Sequence, residues 1–189
     1  MEGITLFSQR DPRWADKPLG TGTLTIGQAG CLLSCAAGVL ATVGVGTDPG
    51  RLNDWLTRNG GYVDDNLFLF QSIEAFGVDL IDLRFCPYTP APVGELRAAI
   101  ERGQHVVLEV DAQPGGAIQP HWVRLLAPTT LGDPWQLPGH EETGLAAYLA
   151  PGWDLARAIL AYAVYAPATR AMLEHRGFAG EAQRGVRVR

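Results

Sequence analysis

Gly27-Gln28-Ala29-Gly30-Cys31-Leu32-Leu33-Ser34-Cys35-Ala36-Ala37-Gly38-Val39-Leu40 is the stretch from which the rest of the chain can be read. From Cys31 to Val43 the residues are small and apolar on every side, the pattern of a helix buried all round. Gly44 to Gly46 ends it. The run opens on a cysteine that directly follows a glycine. A thiol attacks as its thiolate, and the oriented amides of a helix N-terminus favour that form. Gly30 would leave room for a substrate backbone to approach. An isolated cysteine is nonetheless most often a small core residue. Cys35, inside the apolar run, and Cys86 fit that description, so a functional Cys31 needs partners.

Two are on offer. Pro120-His121-Trp122-Val123-Arg124-Leu125-Leu126 carries a histidine into a strand-like run, and Gly132-Asp133-Pro134-Trp135 supplies an acid in a turn. A histidine heading a strand is commonly structural unless a partner is implied, and an Asp-Pro commonly just starts a turn. Here the turn would bring Asp133 beside His121, where a carboxylate can hold an imidazole in one tautomer. His105, His140 and His175 have no such neighbour. Thiol, imidazole and carboxylate are the parts needed for acyl transfer through a thioester.

Outward from these residues, Ile4 to Leu24 is rich in turn formers, with Asp11-Pro12 and Leu19-Gly20-Thr21-Gly22 as breakers. Asp48-Pro49 reads as a cap and first residue of a helix through Thr57, stopped by Asn59-Gly60-Gly61. Asp65 or Asn66 is expected to cap a helix over Leu67 to Phe76. Val78 to Phe85 is expected as a strand, and Pro92 to Glu101 as an amphipathic helix with Leu96 and Ile100 on one face. His105 to Asp111 and His121 to Ala127 read as strands, with Pro128 to Leu131 as a turn. A helix over Asp154 to Leu160 and a strand over Ala161 to Tyr165 close the pattern. Helices followed by a small antiparallel sheet make a single α+β domain over residues 1–167, with 168–189 as an appendage.

Composition sets the limits. The chain has 189 residues, enough for one ordinary core. An apolar fraction of 47% and five tryptophans suit a folded globule. A net charge of -5 disfavours nucleic acid as a partner, although Arg184, Arg187 and Arg189 give a basic end. Three cysteines cannot all pair, and Cys31 to Cys35 along a helix is poor disulfide geometry, so reduced thiols are expected. Met1-Glu2-Gly3-Ile4 does not open a secretory signal, and no run is long enough to span a membrane, so a cytoplasmic location is the default expectation, with non-classical or phage-associated export as the alternative. No His/Cys/Asp cluster has ligand spacing, so neither metal nor cofactor is expected.

Four motifs in order carry a resemblance: Gln9-Arg10-Asp11-Pro12-Arg13-Trp14, Ile26-Gly27-Gln28-Ala29-Gly30-Cys31, His121-Trp122-Val123 and Asp133-Pro134. Together they resemble the C39-like branch of the papain-like cysteine peptidases, from about residue 4 to residue 166. The resemblance implies a papain-like fold, with Cys31 as nucleophile, His121 as base and then acid, and Asp133 as the orienting residue. It also implies that Gln9 lends its side-chain amide to an oxyanion hole with the Cys31 N–H. Trp14 and Trp122 read as packing around the site. The chain departs from that family in having Leu32-Leu33-Ser34 after the cysteine. It also lacks the membrane span and ATPase motif of the transporter-fused peptidases, so their substrates are not implied. The expected activity is hydrolysis of a peptide or protein substrate. The alternatives are a peptidoglycan amidase or acyl transferase on the same scaffold, and a non-catalytic peptide-binding or assembly module.

Overall fold

A computed structural model describes residues 3–87 and 89–168. The helices are α1 (Ile26–Ala29), α2 (Cys31–Thr42), α3 (Pro49–Arg58), α4 (Val93–Glu101) and α5 (Leu155–Ala158). The strands are β1 (Tyr62–Val63), β2 (Leu67–Phe68), β3 (Val78–Phe85), β4 (His105–Asp111), β5 (Pro120–Ala127), β6 (Thr130–Gly132), β7 (Glu142–Gly144) and β8 (Ile159–Pro167). Strands β3 to β8 form one six-stranded sheet in the order β3-β8-β4-β5-β6-β7, antiparallel at every pairing. The fold class is therefore α+β. The expected appendage lies, beyond Ala168, outside the described residues, as do His175 and the arginines at the chain end.

Side chains alternate across a strand, so neighbours on β4 serve opposite faces. Val107 joins Trp122, Ala161 and Ala163 in a core shared with α2 and α3. Val106, Leu108 and Val110 join Val123, Tyr162 and Val164 in a second core, which Leu96 and Ala99 of α4 cover. Helices on both faces explain why β4 reads as a nearly unbroken apolar run. Helix α2 is the hub of the first core. From Leu33 to Leu40 every residue is buried, as its all-round apolar composition requires. Gly38 is there for close approach: a Cβ would lie 2.9 Å from the Thr5 carbonyl and 3.1 Å from Arg124 Nη1.

Two expected helices come out differently. Leu67 to Phe76 is not one helix. Asp64 and Asp65 take left-handed backbone (φ 44° and 68°), turning β1 into β2, and a 3₁₀ helix follows over Phe70–Phe76. Asp and Asn tolerate that conformation, so the residues read as a cap make a hairpin turn. Asp154 does cap a helix, accepting from Arg157 N, but α5 ends at Ala158 and the chain joins the sheet at Ile159. The β-branched Ile159 completes the ladder opposite Val110. Thr130 and Leu131, expected within a turn, belong to β6, and β7 had no strand-like signal.

The entry to α2 is set locally. Thr25 caps α1 in a reciprocal box: its Oγ1 accepts from Gln28 N, and Gln28 Oε1 accepts from Thr25 N. Gly30 then breaks the rise (φ -87°, ψ 21°), and Cys31 begins α2. The room that glycine leaves is taken from inside, not by a substrate: a Cβ at Gly30 would lie 2.5 Å from the Ile26 carbonyl oxygen and 2.7 Å from Ile26 Cγ2. Gly30→Ala should therefore cost about 1–3 kcal/mol by overpacking, read as a lower urea midpoint at unchanged slope. An unchanged midpoint would mean that α1 yields freely at this contact.

Candidate active site

Cys31 is the first residue of α2, and its N–H belongs to the turn that has no intrahelical acceptors. Its side chain is half-buried, whereas Cys35 and Cys86 are buried. Cys35 donates its S–H to the Trp122 carbonyl (3.4 Å), and burial pushes its thiol well above the ordinary range. Burial also raises Cys86. Both behave as core residues, and all three thiols are free.

His121 enters at the start of β5, opposite Val110 of β4, just after Pro120, which cannot donate to the ladder. The side chain is 9% exposed and its Nε2 lies 2.6 Å from Asp133 Oδ1. An ionised carboxylate only accepts, so Nε2 carries the proton and donates it. Cys31 lies near enough to act on the His121 charge, and Nδ1 is the ring nitrogen left to face it. The structure thus brings together the three residues that the sequence singled out, contributed by α2, β5 and the turn after β6.

Asp133 is held from all sides. Its Oδ1 accepts from His121 Nε2 and from Trp135 N (2.8 Å). Its Oδ2 accepts from Gln136 Nε2 (2.7 Å) and from the Tyr148 hydroxyl (2.6 Å). Its own N–H donates to the Glu141 carbonyl. Burial alone would raise the carboxyl, but hydrogen bonds from His121, Tyr148 and Gln136 outweigh it and bring the pKa down to about 2. For His121, burial works against the charged ring. The hydrogen bond to Asp133 and the influence of Cys31 prevail and lift it from 6.5 to about 9. At neutral pH the ring is an imidazolium.

Gln9 is fully buried beside this constellation. Its N–H donates to the Pro134 carbonyl (2.8 Å) and its Nε2 to the Gly27 carbonyl (3.0 Å), so it ties the turn of Asp133 to the approach to Cys31. One Nε2 hydrogen is used and an amide has two. Ser8 strengthens the same tie, giving its hydroxyl to the Pro134 and Gln136 carbonyls, while Trp14 Nε1 donates to the Ser8 carbonyl. Trp14 and Trp122 are both buried, the latter against the Phe70 ring. His105 does not join the site. Burial and the nearby Arg124 lower it to about 4, so it stays neutral.

Sequence reading missed Tyr148 and Gln136. Gln136 had a faint signal, an amide three residues after an acid across a turn. Tyr148 had none, because it arrives from the 3₁₀ helix Leu145–Tyr148 after an irregular stretch. Among the described residues no group of three His, Cys, Asp or Glu side chains could hold a metal ion, and no helix is long and apolar enough to cross a membrane. No protein-family model matches the chain, and no curated protein matches it.

The shifts fix a pH signature. His121 has a folded pKa above its unfolded value, so its stabilisation is complete below pH 6.5 and is lost as the pH rises towards 9. Asp133 has a depressed pKa, so its stabilisation is present above pH 3.8 and is lost as the pH falls towards 2. Urea unfolding of the wild type should show both limbs, roughly 3 kcal/mol for His121 and roughly 2 kcal/mol for Asp133. Asp133→Asn should flatten them, and an unflattened profile would place the titrations elsewhere.

Proposed function

We propose that the chain is a C39-like cysteine peptidase of papain-like fold, hydrolysing peptide bonds through a thioester on Cys31. The observation that carries this reading is one imidazole hydrogen-bonded to a buried carboxylate and close to the half-buried Cys31 at the start of α2. A helix bearing the thiol, packed on an antiparallel sheet bearing the imidazole, supports the fold assignment. The four ordered motifs support the family.

The chemistry follows from the charges. The reacting form has the proton on His121 and the negative charge on the Cys31 sulfur. Sulfur attacks the scissile carbonyl, and the oxyanion is met by the Cys31 N–H and the free Nε2 hydrogen of Gln9. His121 gives its proton to the leaving nitrogen, the C–N bond breaks and the thioester remains. The ring, now neutral, takes a proton from water as the water attacks the thioester, and release of the acid restores the thiolate–imidazolium form. Asp133 stays ionised throughout, fixing the ring by its Nε2–H.

Cys31→Ala should keep the fold by circular dichroism and lower turnover on a casein-type substrate on the order of a thousandfold or more. Iodoacetamide should label Cys31 alone of the three thiols in the folded protein, as read by peptide mass. Clearing of cell-wall suspensions without casein cleavage would move the bond to the peptidoglycan stem. Wild-type turnover by Cys31→Ala would refute the cysteine mechanism for either substrate.

A further inference from the structure

Behind the triad is a cavity of about 10 Å³, room for the centre of one water-sized sphere. Leu6 and Phe7 form apolar walls, and Ser34, Arg124, Asp133 and Glu141 are among the other lining residues. Two of these residues carry a buried polar atom with no partner: Ser34 Oγ and Arg124 Nε. Their exposures are 1% and 3%. Buried polar atoms without partners are uncommon, and two around one cavity point to an occupant.

Charge and hydrogen-bond balance select its kind. Arg124 Nη1 donates to the Thr5 carbonyl and the Thr42 hydroxyl, and Nη2 faces Nδ1 of the neutral His105. Among the described residues no carboxylate lies within 4.0 Å of its guanidinium. A buried cation left without a counter-charge is costly. Nε–H can only donate and Ser34 Oγ can donate. An anion accepts from both donors and also supplies the negative charge that Arg124 lacks, which a water does not. The Asp133 charge is balanced by His121, so it does not compensate Arg124.

We propose that this cavity binds a single small monovalent anion, chloride in the cell, held by Arg124 Nε and Ser34 Oγ. Ser34 lies one turn beyond Cys31 on α2, and Arg124 lies on β5 beyond His121. The anion therefore joins the helix of the thiol to the strand of the imidazole. It binds the folded chain only, so it stabilises the fold by mass action and holds the two catalytic elements in register.

The test needs no substrate, so it stands or falls apart from the peptidase reading. Full-length protein is melted in chloride, bromide or methanesulfonate at fixed ionic strength, and crystals soaked in bromide are measured at the bromine absorption edge. One anomalous peak within hydrogen-bond reach of Ser34 Oγ and Arg124 Nε is expected, with a melting temperature that rises saturably with halide. Ser34→Ala removes an unpartnered hydroxyl, so its melting temperature in methanesulfonate should match the wild type. Its halide affinity should fall about tenfold. A cavity holding water alone after the soak would overturn the proposal, as would an equal halide response in Ser34→Ala.

Discussion

The hydrogen bond from His121 Nε2 to Asp133 Oδ1, 2.6 Å long and shut away from water, is the constraint on which the site depends. It decides the tautomer and turns Nδ1 to the thiol. It also keeps the ring charged in a place where burial would otherwise discharge it. A carboxylate in such a place is itself costly unless its acceptor positions are met. Tyr148, Gln136 and the Trp135 N–H meet them. The outer ring of donors is thus the reason that the inner pair can exist.

The scaffold converts that local bond into a site. Antiparallel pairing of β5 with β6 brings Asp133 back beside His121. Helix α2, buried from Leu33 to Leu40 against the same sheet, presents its half-buried first residue beside the ring. The N-terminal segment ties the two together, with Gln9 hydrogen-bonded to α1 at Gly27 and to the turn after β6 at Pro134. Cys31, His121 and Asp133 each rest on a different part of the chain, and long-range packing, not local propensity, sets their mutual distances.

That division explains what could be read from the sequence. The α2 helix was legible because its composition admits no solvent face, β4 was legible from its β-branched run, and β5 and most of β8 were legible as short apolar runs. Cys31, His121 and Asp133 could be picked out because each is a chemistry-bearing residue at an element boundary. Tyr148 was not legible, since nothing in an irregular stretch reports which side chain will reach an acid fifteen positions earlier. The Asp64-Asp65-Asn66 run misled because the same short polar side chains serve caps and left-handed turns. Gly30 misled in another way: its missing side chain makes room for Ile26, an internal contact that spacing alone cannot show.

Nitrogen-15 NMR of the His121 ring reads the charge that Asp133 holds in place. A ring protonated on both nitrogens at pH 7.5 that loses a proton near pH 9 is expected, with a titration that falls back towards 6.5 in Asp133→Asn. A wild-type ring already neutral at pH 7.5, or one that titrates identically in Asp133→Asn, would contradict it.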